Sequence, residues 1–449
     1  MRNDGPLQKR AIALIERLRQ QLIAADFCRR HRRCDRDFTR QCVLTFPVVM
    51  LMLLQKGLKS LQNHVQEFMA QLATQHSGPA LSGGALTHAR AKLRASAFGE
   101  LNAVVLDTVY GSQHAALVER WHGHRLLSVD GSLMRLPNRA ALGDVFGWVQ
   151  CSNGHGLTER YPQGRVSVLY DVLNQVALEG RAAASTVGEI ELAHEHLAAT
   201  KPGDVLLTDR GYTGYLWLMA VRAAGAHFVS RCSRGSFAAA QRLFERNEAG
   251  VSVVVTMEAH SGLQSRCRQQ DWLQELKVRL VTVRLRTGEL EVLVTSLLDE
   301  AAYPTALFGP VYWQRWGQET YYARLKGRLD LEHCSGKTVE AVEQDFAATV
   351  LLSNVESVVI GPAQAQLTER TAGREQPAQV NRAVSLHAVK YRLIELLTCR
   401  VTAEEVLAEL TKWFQASPVS VRRKRAVTRR TPSLARSYHY QRRVRKIVF

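Results

Sequence analysis

The sequence lacks the marks of membrane and secreted proteins. Its longest apolar run, residues 43–54, is too short to span a bilayer and contains Pro47, so we interpret it as a buried core segment. None of the eight cysteines has CxxC spacing, and no signal peptide is evident. We therefore expect a chain that does not bind membranes and that works in the reducing cytoplasm.

The sequence also lacks a convincing zinc site. Cys28, His31, Cys34 and Cys42 form a C-x2-H-x2-C-x7-C pattern. This spacing fits no standard zinc site well, and arginine occupies every gap. We therefore assign no zinc to this segment.

Acidic residues are scarce relative to basic ones. The chain has 41 Asp and Glu against 59 Lys and Arg, a formal charge of +18, which predicts a polyanionic partner. Residues 422–446 carry eleven Lys and Arg and no acid. Such a tail can also be a solubilising segment or bind acidic membranes, but the motifs in the middle of the chain favour nucleic acid. A second basic cluster lies near the N-terminus: Arg29, Arg30, Arg32, Arg33, Arg36 and Arg40.

At 449 residues the chain is long enough for two to four domains. Its first 120 residues show apolar residues at helical spacing, with a helix predicted at 7–25, one or two buried helices at 43–72 and another helix at 87–110. This region is either a helical DNA-binding domain or a bundle that braces the rest of the chain. No helix-turn-helix signature decides between the two.

The middle of the chain predicts a mixed α/β layer fold. Two apolar strands, within 125–131 and 203–209, end in Asp130 and Asp209. Further strands are predicted at 166–172 and 175–178, on either side of the turn residue Asn174, and at 227–231. Helices are predicted at 187–199 and 215–223.

Residues 237–299 change to the alternating pattern of an antiparallel sheet, with runs at 251–257, 276–280, 282–286 and 290–297. An apolar helix at 339–359, a polar linker or loop at 361–380 and a helical stretch at 384–414 follow. Four cations in the alternating region form either a basic face or ordinary solvated charges: Lys277, Arg279, Arg284 and Arg286.

Within the stretch 312–326, one acid, two cations and a phenol follow a helical spacing. Relative to Glu319, Tyr312, Arg315 and Lys326 lie at −7, −4 and +7. In one continuous helix, these four side chains would share a stripe roughly 60° wide. The carboxylate suits a metal ion, and the cations suit the oxygens of a phosphate. The alternative is a surface helix with an Arg315–Glu319 ion pair.

Asp130, Asp209 and Glu319 are candidate metal ligands as a set. Three such carboxylates could hold two Mg²⁺ ions roughly 3.5–4 Å apart, the arrangement used for phosphodiester displacement, and Mn²⁺ could substitute. Four other acids are interpreted as ordinary cap or turn residues: Asp171, Asp204, Asp330 and Glu332.

Together these motifs resemble the DDE transposases of insertion sequences. The resemblance covers about residues 125–360 and is to the IS-four family, whose hallmark is a Y-x2-R-x3-E-x6-K pattern. Three segments carry it: Val129-Asp130-Gly131-Ser132, Thr208-Asp209-Arg210-Gly211-Tyr212 and Tyr312-x2-Arg315-x3-Glu319-x6-Lys326.

The resemblance implies an α/β ribonuclease-H-like mixed sheet core with a β-rich insertion, between helical N-terminal and C-terminal regions. It implies cut-and-paste transposition by a homodimer that holds the terminal inverted repeats and target DNA. Some members stack a flipped base on a tryptophan of the insertion, where the one tryptophan here, Trp272, is not assigned to that role. Trp313 and Trp316 are either alternatives for stacking or core residues. It further implies metal binding by Asp130, Asp209 and Glu319, and DNA contacts by Tyr312, Arg315 and Lys326, to which we add Arg210.

We therefore expect a nucleoid-associated bacterial transposase. The alternatives are a metal-dependent endonuclease that cuts without joining and a non-catalytic DNA-binding relic, which the presence of all three acids disfavours. The expected domains are a helical DNA-binding region at 1–120, a catalytic core at 121–235 and 301–362, a β-rich insertion at 236–300, and a linker, helices and basic tail at 363–449.

Overall fold

The computed structural model describes residues 5–40, 42–57, 59–72, 81–152 and 158–421. The predicted basic tail at 422–446 lies outside these residues. The chain divides into two units. Unit 1 is Met1–Val118, Arg135–Gln163 and Arg324–Phe449, and unit 2 is Glu119–Met134 and Gly164–Ala323.

The described helices are α1 (Pro6–Ile23), α2 (Ala25–His31), α3 (Phe46–Leu54), α4 (Leu61–Leu72), α5 (Gly83–Arg90), α6 (Ser96–Tyr110), α7 (Ala140–Phe146), α8 (Glu189–His196), α9 (Tyr215–Ala223), α10 (Ala238–Arg246), α11 (Ser261–Gln269), α12 (Phe308–Trp313), α13 (Trp316–Gly327), α14 (Val339–Val359), α15 (Gly361–Arg370), α16 (Arg382–Tyr391), α17 (Leu393–Leu397) and α18 (Ala403–Ala416).

The described strands are β1 (Leu126–Arg135), β2 (Trp148–Ser152), β3 (Thr158–Asp171), β4 (Val176–Ala184), β5 (Val205–Thr208), β6 (His227–Arg231), β7 (Ser252–Glu258), β8 (Glu275–Arg284), β9 (Leu290–Thr295), β10 (Ala378–Gln379) and β11 (Val419–Ser420).

Unit 1 is mainly helical, as the apolar spacing predicts. The prediction of one helix at 87–110 is wrong, because α5 ends at Arg90 and α6 begins at Ser96. Between them the backbone pairs with another segment. The Arg33 N–H donates to the Lys92 carbonyl at 2.9 Å, and the Arg94 N–H donates to the His31 carbonyl at 2.8 Å. Because of these bonds, the residues between α5 and α6 do not continue the helix.

The C-terminal part of unit 1 contains a second correction. The apolar helix at 339–359 is confirmed as α14, but the predicted loop at 361–380 begins with a helix, α15. Pro362 lies in the first turn of α15, where proline is tolerated because that N–H has no partner within the helix.

Unit 2 is built on a mixed sheet. The strand order is β4–β3–β1–β5–β6–β9–β8–β7, with β1, β5 and β6 parallel and the other registered pairs antiparallel. Strands β4, β3, β1, β5 and β6 form the mixed ribonuclease-H-like core, which confirms the predicted fold class. The insertion adds β9, β8 and β7 at β6 and also carries α10 and α11.

The core of unit 2 forms where helices cover apolar sheet residues. Trp217 of α9 packs in one cluster with Phe228 of β6 and Val292 of β9, and each is no more than 1% exposed. This burial stabilises the layer by roughly 2 kcal/mol per large apolar side chain. It also holds the sheet rigid beneath the ends of its parallel strands.

The interpretation of Arg279 as part of an exposed basic face is wrong. Arg279 is fully buried, and its guanidinium donates to Ser252 at 2.8 Å, to the Tyr303 carbonyl at 2.7 Å and to Glu300 at 3.1 Å. The segment after β9 covers this side of β8, so strand alternation does not expose every second residue. Lys277 and Arg284 are exposed.

No single helix in the described part of the chain is long and apolar enough to cross a membrane. The bent pair α14 and α15, with a 44° angle between them, passes that test by length and composition only.

Candidate active site

Asp130 and Asp209 lie at matching positions of two neighbouring parallel strands. Leu126 of β1 pairs with Val205 of β5, and each aspartate follows its paired residue by four positions. Adjacent strands lie about 4.8 Å apart, and residues at equal register point to the same face of a sheet. The sheet therefore brings the two carboxylates together although they are distant in sequence.

Each aspartate is held by the backbone that follows it. The Gly131 N–H donates to Asp130 Oδ1 at 2.8 Å, and the Gly211 N–H donates to Asp209 Oδ1 at 2.7 Å. Within the described residues, the second oxygen of each carboxylate makes no hydrogen bond. Both acids therefore have an oxygen available for a ligand.

Burial raises the pKa of Asp130 from 3.8 to about 7. The hydrogen bond from Gly131 and the positive charge of Arg315 act in the opposite direction, while the negative charges of Asp209 and Glu189 raise the pKa further. This half-buried carboxylate thus lies among more negative than positive charge. Such a site favours a cation that would offset this excess.

Helix α13 is fastened to the sheet beside Asp130. The Tyr322 hydroxyl donates to the Asp130 carbonyl at 2.8 Å, and the Gln318 amide donates to the Val168 carbonyl of β3 at 3.0 Å. Tyr321 stacks on Tyr170, with ring centroids 4.3 Å apart. These contacts position the first turn of α13, which carries Glu319, relative to β1.

The stretch 312–326 is not the single helix that its spacing predicts. Helix α12 ends at Trp313 and α13 begins at Trp316. Across the junction the backbone bonds span three residues: the Gln314 N–H donates to the Val311 carbonyl and the Arg315 N–H to the Tyr312 carbonyl. Three-residue turns rotate the chain by about 120° per residue, so the predicted 60° stripe does not hold here.

Arg315 and Glu319 form the ion pair that the four-residue spacing allows. The Arg315 guanidinium donates to Glu319 Oε1 at 2.8 Å, and Arg315 is only 4% exposed. Burial alone would lower the pKa of Arg315, but Tyr312, Glu319 and Asp130 leave it raised. A permanently charged guanidinium is therefore bonded to Glu319 and also interacts electrostatically with Asp130.

The other members of the motif have different surroundings. Tyr312 is buried, and its hydroxyl donates to the carbonyl of Thr208, directly before Asp209, at 3.2 Å. Burial raises its pKa to about 12, so it stays protonated. Arg210 is exposed. Lys326 lies in the part of α13 that belongs to unit 1, where its ammonium is 3.7 Å from Glu332.

Comparison with known proteins identifies the family. Residues 121–355 match the family described as Transposase DDE domain, which is more than half of the chain and contains Asp130, Asp209 and Glu319. The chain belongs to the DDE transposase family. The predicted resemblance is thereby confirmed, and enzymes of this family generally use divalent metal ions.

The chain is also similar to two known proteins. The transposase InsG for insertion sequence element IS4 of Escherichia coli (strain K12) is 24% identical over 281 residues, which cover 62% of this chain and 61% of that protein. The chain thus spans about three fifths of the length of this relative. A piggyBac transposase synaptic complex with hairpin DNA, solved by cryo-electron microscopy, is 8% identical with a TM-score of 0.44, covering 89% of this chain and 85% of that one.

Two of the acids that the sequence analysis interprets as cap or turn residues have structural partners. Asp204 is buried and accepts from Arg125 at 2.8 Å, and Asp171 accepts from the Leu173 and Asn174 N–H groups in a turn. His31 bonds Glu100 at 2.7 Å and Ser96 at 2.9 Å through its two ring nitrogens, which leaves neither nitrogen for a metal.

Two residues near the aspartates were missed by the sequence reasoning. Glu189, the first residue of α8, and Tyr212, at the end of the second motif, both interact electrostatically with Asp130. Tyr212 was quoted only as part of the motif. Nothing in the local pattern marks Glu189, because it reaches Asp130 only through the packing of α8 on the sheet.

The donor chemistry of the site suits a hard divalent cation. Carboxylate oxygens are the ligands that Mg²⁺ prefers, and the half-buried Asp130 has excess negative charge around it. In the structure, however, Glu319 is bonded to Arg315, and no three His, Cys, Asp or Glu side chains of the described residues are arranged as a metal-binding group. The gathering of all three acids around metal ions stays a prediction.

Proposed function

We propose that the chain is the transposase of an insertion sequence. It binds the element ends and catalyses metal-dependent strand cleavage and strand transfer in a cut-and-paste reaction. The single observation that supports the proposal is the parallel register of β1 and β5, just after which Asp130 and Asp209 follow at equal distances, within a region matched to the DDE transposase family. The InsG relative adds that a similar sequence is the transposase of an insertion element.

Asp130, Asp209 and Glu319 would hold two Mg²⁺ ions, for which Mn²⁺ can substitute. When bound, such a pair activates the attacking water or 3′-hydroxyl and stabilises the leaving oxygen. The chain contributes fixed positions: Asp130 and Asp209 are held by their following glycines, and Glu319 is carried by a helix fastened to β1.

The cations of the motif would hold the DNA backbone. Arg315 is a buried charge beside the acids, and a guanidinium can bind two oxygens of one phosphate. Arg210 and Lys326 would contact phosphates through charges that are less buried. Tyr312 would mainly position the end of β5, since its hydroxyl donates to the Thr208 carbonyl. A contact between Tyr312 and DNA stays a prediction.

The partner would be double-stranded DNA, first the terminal inverted repeats and then the target. The charge of +18 supports this, because cations that neutralise phosphates release counterions and favour binding. We assign DNA recognition to the helical region 1–120 and catalysis to 121–235 with 301–362. Residues 236–300 would be an insertion and 363–449 an accessory region. A homodimer would hold both element ends.

The test is a strand-transfer assay with two end fragments and a supercoiled target. The end sequences come from short inverted repeats in the DNA that flanks the coding region. We expect nicked and cut ends, followed by joined products, in Mg²⁺ or Mn²⁺. Glu319→Gln should abolish both while end binding in a gel-shift assay stays within about twofold of wild type, since the carboxylate does not hold DNA.

A metal-dependent endonuclease is the second candidate, because it would use the same three acids. It predicts cut ends and no joined product with correctly paired ends. Cleavage by the Glu319→Gln variant at the wild-type rate would refute the assignment of that residue under either candidate.

A further inference from the structure

We propose that Ser167 and His196 are positioning residues for Asp130. With Glu179 they form a hydrogen-bond chain that orients the peptide group between Asp130 and Gly131. All of these residues belong to unit 2, and none of the three chain members lies in the DDE motifs. The inference rests on the proposed function where it concerns DNA cleavage, whereas the orientation of the peptide group can be tested without DNA.

The chain links three elements of the sheet layer. His196 is the last residue of α8, and it forms hydrogen bonds through both ring nitrogens. Its Nδ1 lies 2.8 Å from Glu179 Oε2 on β4, and its Nε2 lies 3.1 Å from Ser167 Oγ on β3. The Ser167 hydroxyl in turn donates to the Asp130 carbonyl at 3.3 Å. Ser167 is 0% and His196 1% exposed, so solvent water has little access to the bonds at Ser167.

The direction of these bonds follows from the protons available. A carbonyl oxygen can only accept, and a serine hydroxyl has a single proton. Because Ser167 donates to the Asp130 carbonyl, Nε2 of His196 must donate to Ser167, while Nδ1 donates to the Glu179 carboxylate. His196 then carries both ring protons. The Glu179 carboxylate and the negative end of the α8 dipole both favour this positive charge.

Glu179 is itself held at the outer end of the chain. The Arg181 guanidinium lies 2.7 Å from Glu179 Oε1 and also donates to Glu195 at 2.6 Å. Burial alone would raise the pKa of Glu179, but the hydrogen bonds and charges of His196 and Arg181 leave that pKa lowered. Glu179 is therefore an ionised acceptor whose position is fixed on both sides.

The chain reaches Asp130 from the face of the sheet opposite to its carboxylate. Side chains alternate between the two faces along a strand. Val129 of β1 packs in one core cluster with Trp217 of α9, so Asp130, the next residue, points to the other face. Leu169 of β3 belongs to the same cluster, which places Ser167, two residues earlier, on the α9 face. The chain therefore contacts the backbone of Asp130 and leaves the surroundings of its carboxylate free.

The backbone contact matters because it fixes a donor to the carboxylate. The Asp130 carbonyl and the Gly131 N–H belong to one planar peptide group, so bonds that hold the carbonyl also hold the N–H. The carbonyl accepts from Ser167 and, at 2.8 Å, from Tyr322. The N–H donates to Asp130 Oδ1 at 2.8 Å. Without Ser167, Tyr322 would be the one side chain holding this carbonyl among the described hydrogen bonds, and the carboxylate would be oriented less firmly.

The first test is hydrogen exchange of the full chain without DNA, followed by mass spectrometry. Ser167→Ala should speed exchange in peptides that cover the end of β1 about three- to tenfold, as expected for one lost hydrogen bond. Ser128→Ala is the matched control, because Ser128 is an equally buried serine of β1 whose hydroxyl has no partner in the described part of the chain. It should exchange like wild type. Equal exchange in the two variants would overturn the proposal.

Two variants of His196 test whether Ser167 depends on the histidine. His196→Gln keeps a side-chain N–H that can donate to Ser167, whereas His196→Leu removes it. We expect His196→Leu to exchange like Ser167→Ala at the end of β1 and His196→Gln to stay within about twofold of wild type. A role confined to stability predicts that both variants lower the unfolding temperature alike and exchange alike. That result, or wild-type exchange in His196→Leu, would overturn the role of His196.

Strand cleavage in Mg²⁺ then tests the effect on the reaction. Ser167→Ala should lower the cleavage rate at saturating DNA about tenfold, because a misplaced reacting group slows the chemical step, while its Kd for an end fragment stays within about twofold of wild type. Ser128→Ala should cleave like wild type. Wild-type cleavage by Ser167→Ala would overturn the positioning role. No cleavage by the wild-type chain would instead refute the proposed function, and the exchange result alone would then decide whether the chain of bonds orients the Asp130 peptide group.

Discussion

Replacing Asp130 by asparagine should stabilise the metal-free chain at pH 8. Burial raises the pKa of Asp130 from 3.8 to about 7, so the folded chain holds this proton more tightly than the unfolded chain does. Below pH 3.8 the carboxyl group is mostly neutral in both the folded and the unfolded state, so it does not lower the free energy of unfolding. As the pH rises to 7, the unfolded state loses the proton first, and the free energy of unfolding falls.

The size of the effect follows from the shift. Each pKa unit corresponds to about 1.4 kcal/mol, so the carboxylate costs at most about 4 kcal/mol above pH 7 and about 2 kcal/mol at pH 5. Asparagine keeps the shape and the bond from the Gly131 N–H without the charge. The gain in stability of Asp130→Asn should therefore be larger at pH 8 than at pH 5.

Urea unfolding followed by tryptophan fluorescence, with EDTA present, measures this difference. Asp144→Asn is the control, because Asp144 is an exposed acid in α7 and its loss should change stability little at either pH. If Asp130 is a ligand of the proposed metal site, saturating Mg²⁺ should reduce or reverse the advantage of Asp130→Asn, since asparagine would bind the ion more weakly than the carboxylate. An equal free energy of unfolding for wild type and Asp130→Asn at pH 8 would refute the reasoning.

Two further predictions concern the buried ion pair of unit 2 and the basic C-terminal tail. Arg125→Leu should destabilise unit 2 by about 3–5 kcal/mol in the same unfolding assay, because it leaves the buried Asp204 without its cation; a loss below 1 kcal/mol would contradict this. Truncation after Val421 removes eleven basic residues, so DNA affinity should fall and its dependence on salt should flatten. An unchanged salt slope in a binding titration would show that the tail does not touch DNA.

The sheet and its two aspartates were predictable because their signal is local. An apolar run that ends in an acid marks a buried strand with a polar end, and the runs before Asp130 and Asp209 gave strands in register. The helix at 339–359 was predicted to the residue, since it is apolar around most of its surface and buried accordingly.

The errors arise where distant contacts override local spacing. Helical periodicity predicts one helix at 312–326, but three-residue backbone bonds break it before Arg315. Alternation predicts an exposed Arg279, but the segment after β9 buries it. Glu189 could not be found at all, since only the packing of α8 brings it to Gly131.

The most direct test of the account replaces Mg²⁺ by Fe²⁺ and adds ascorbate and peroxide. Hydroxyl radicals formed at a bound iron cut the nearest backbone, and mass spectrometry locates the cuts in the chain. We expect cuts beside Asp130, Asp209 and Glu319 together, all suppressed by excess Mg²⁺. Cuts that occur elsewhere, or that leave out the Glu319 segment, would contradict the claim that these three acids share one metal site.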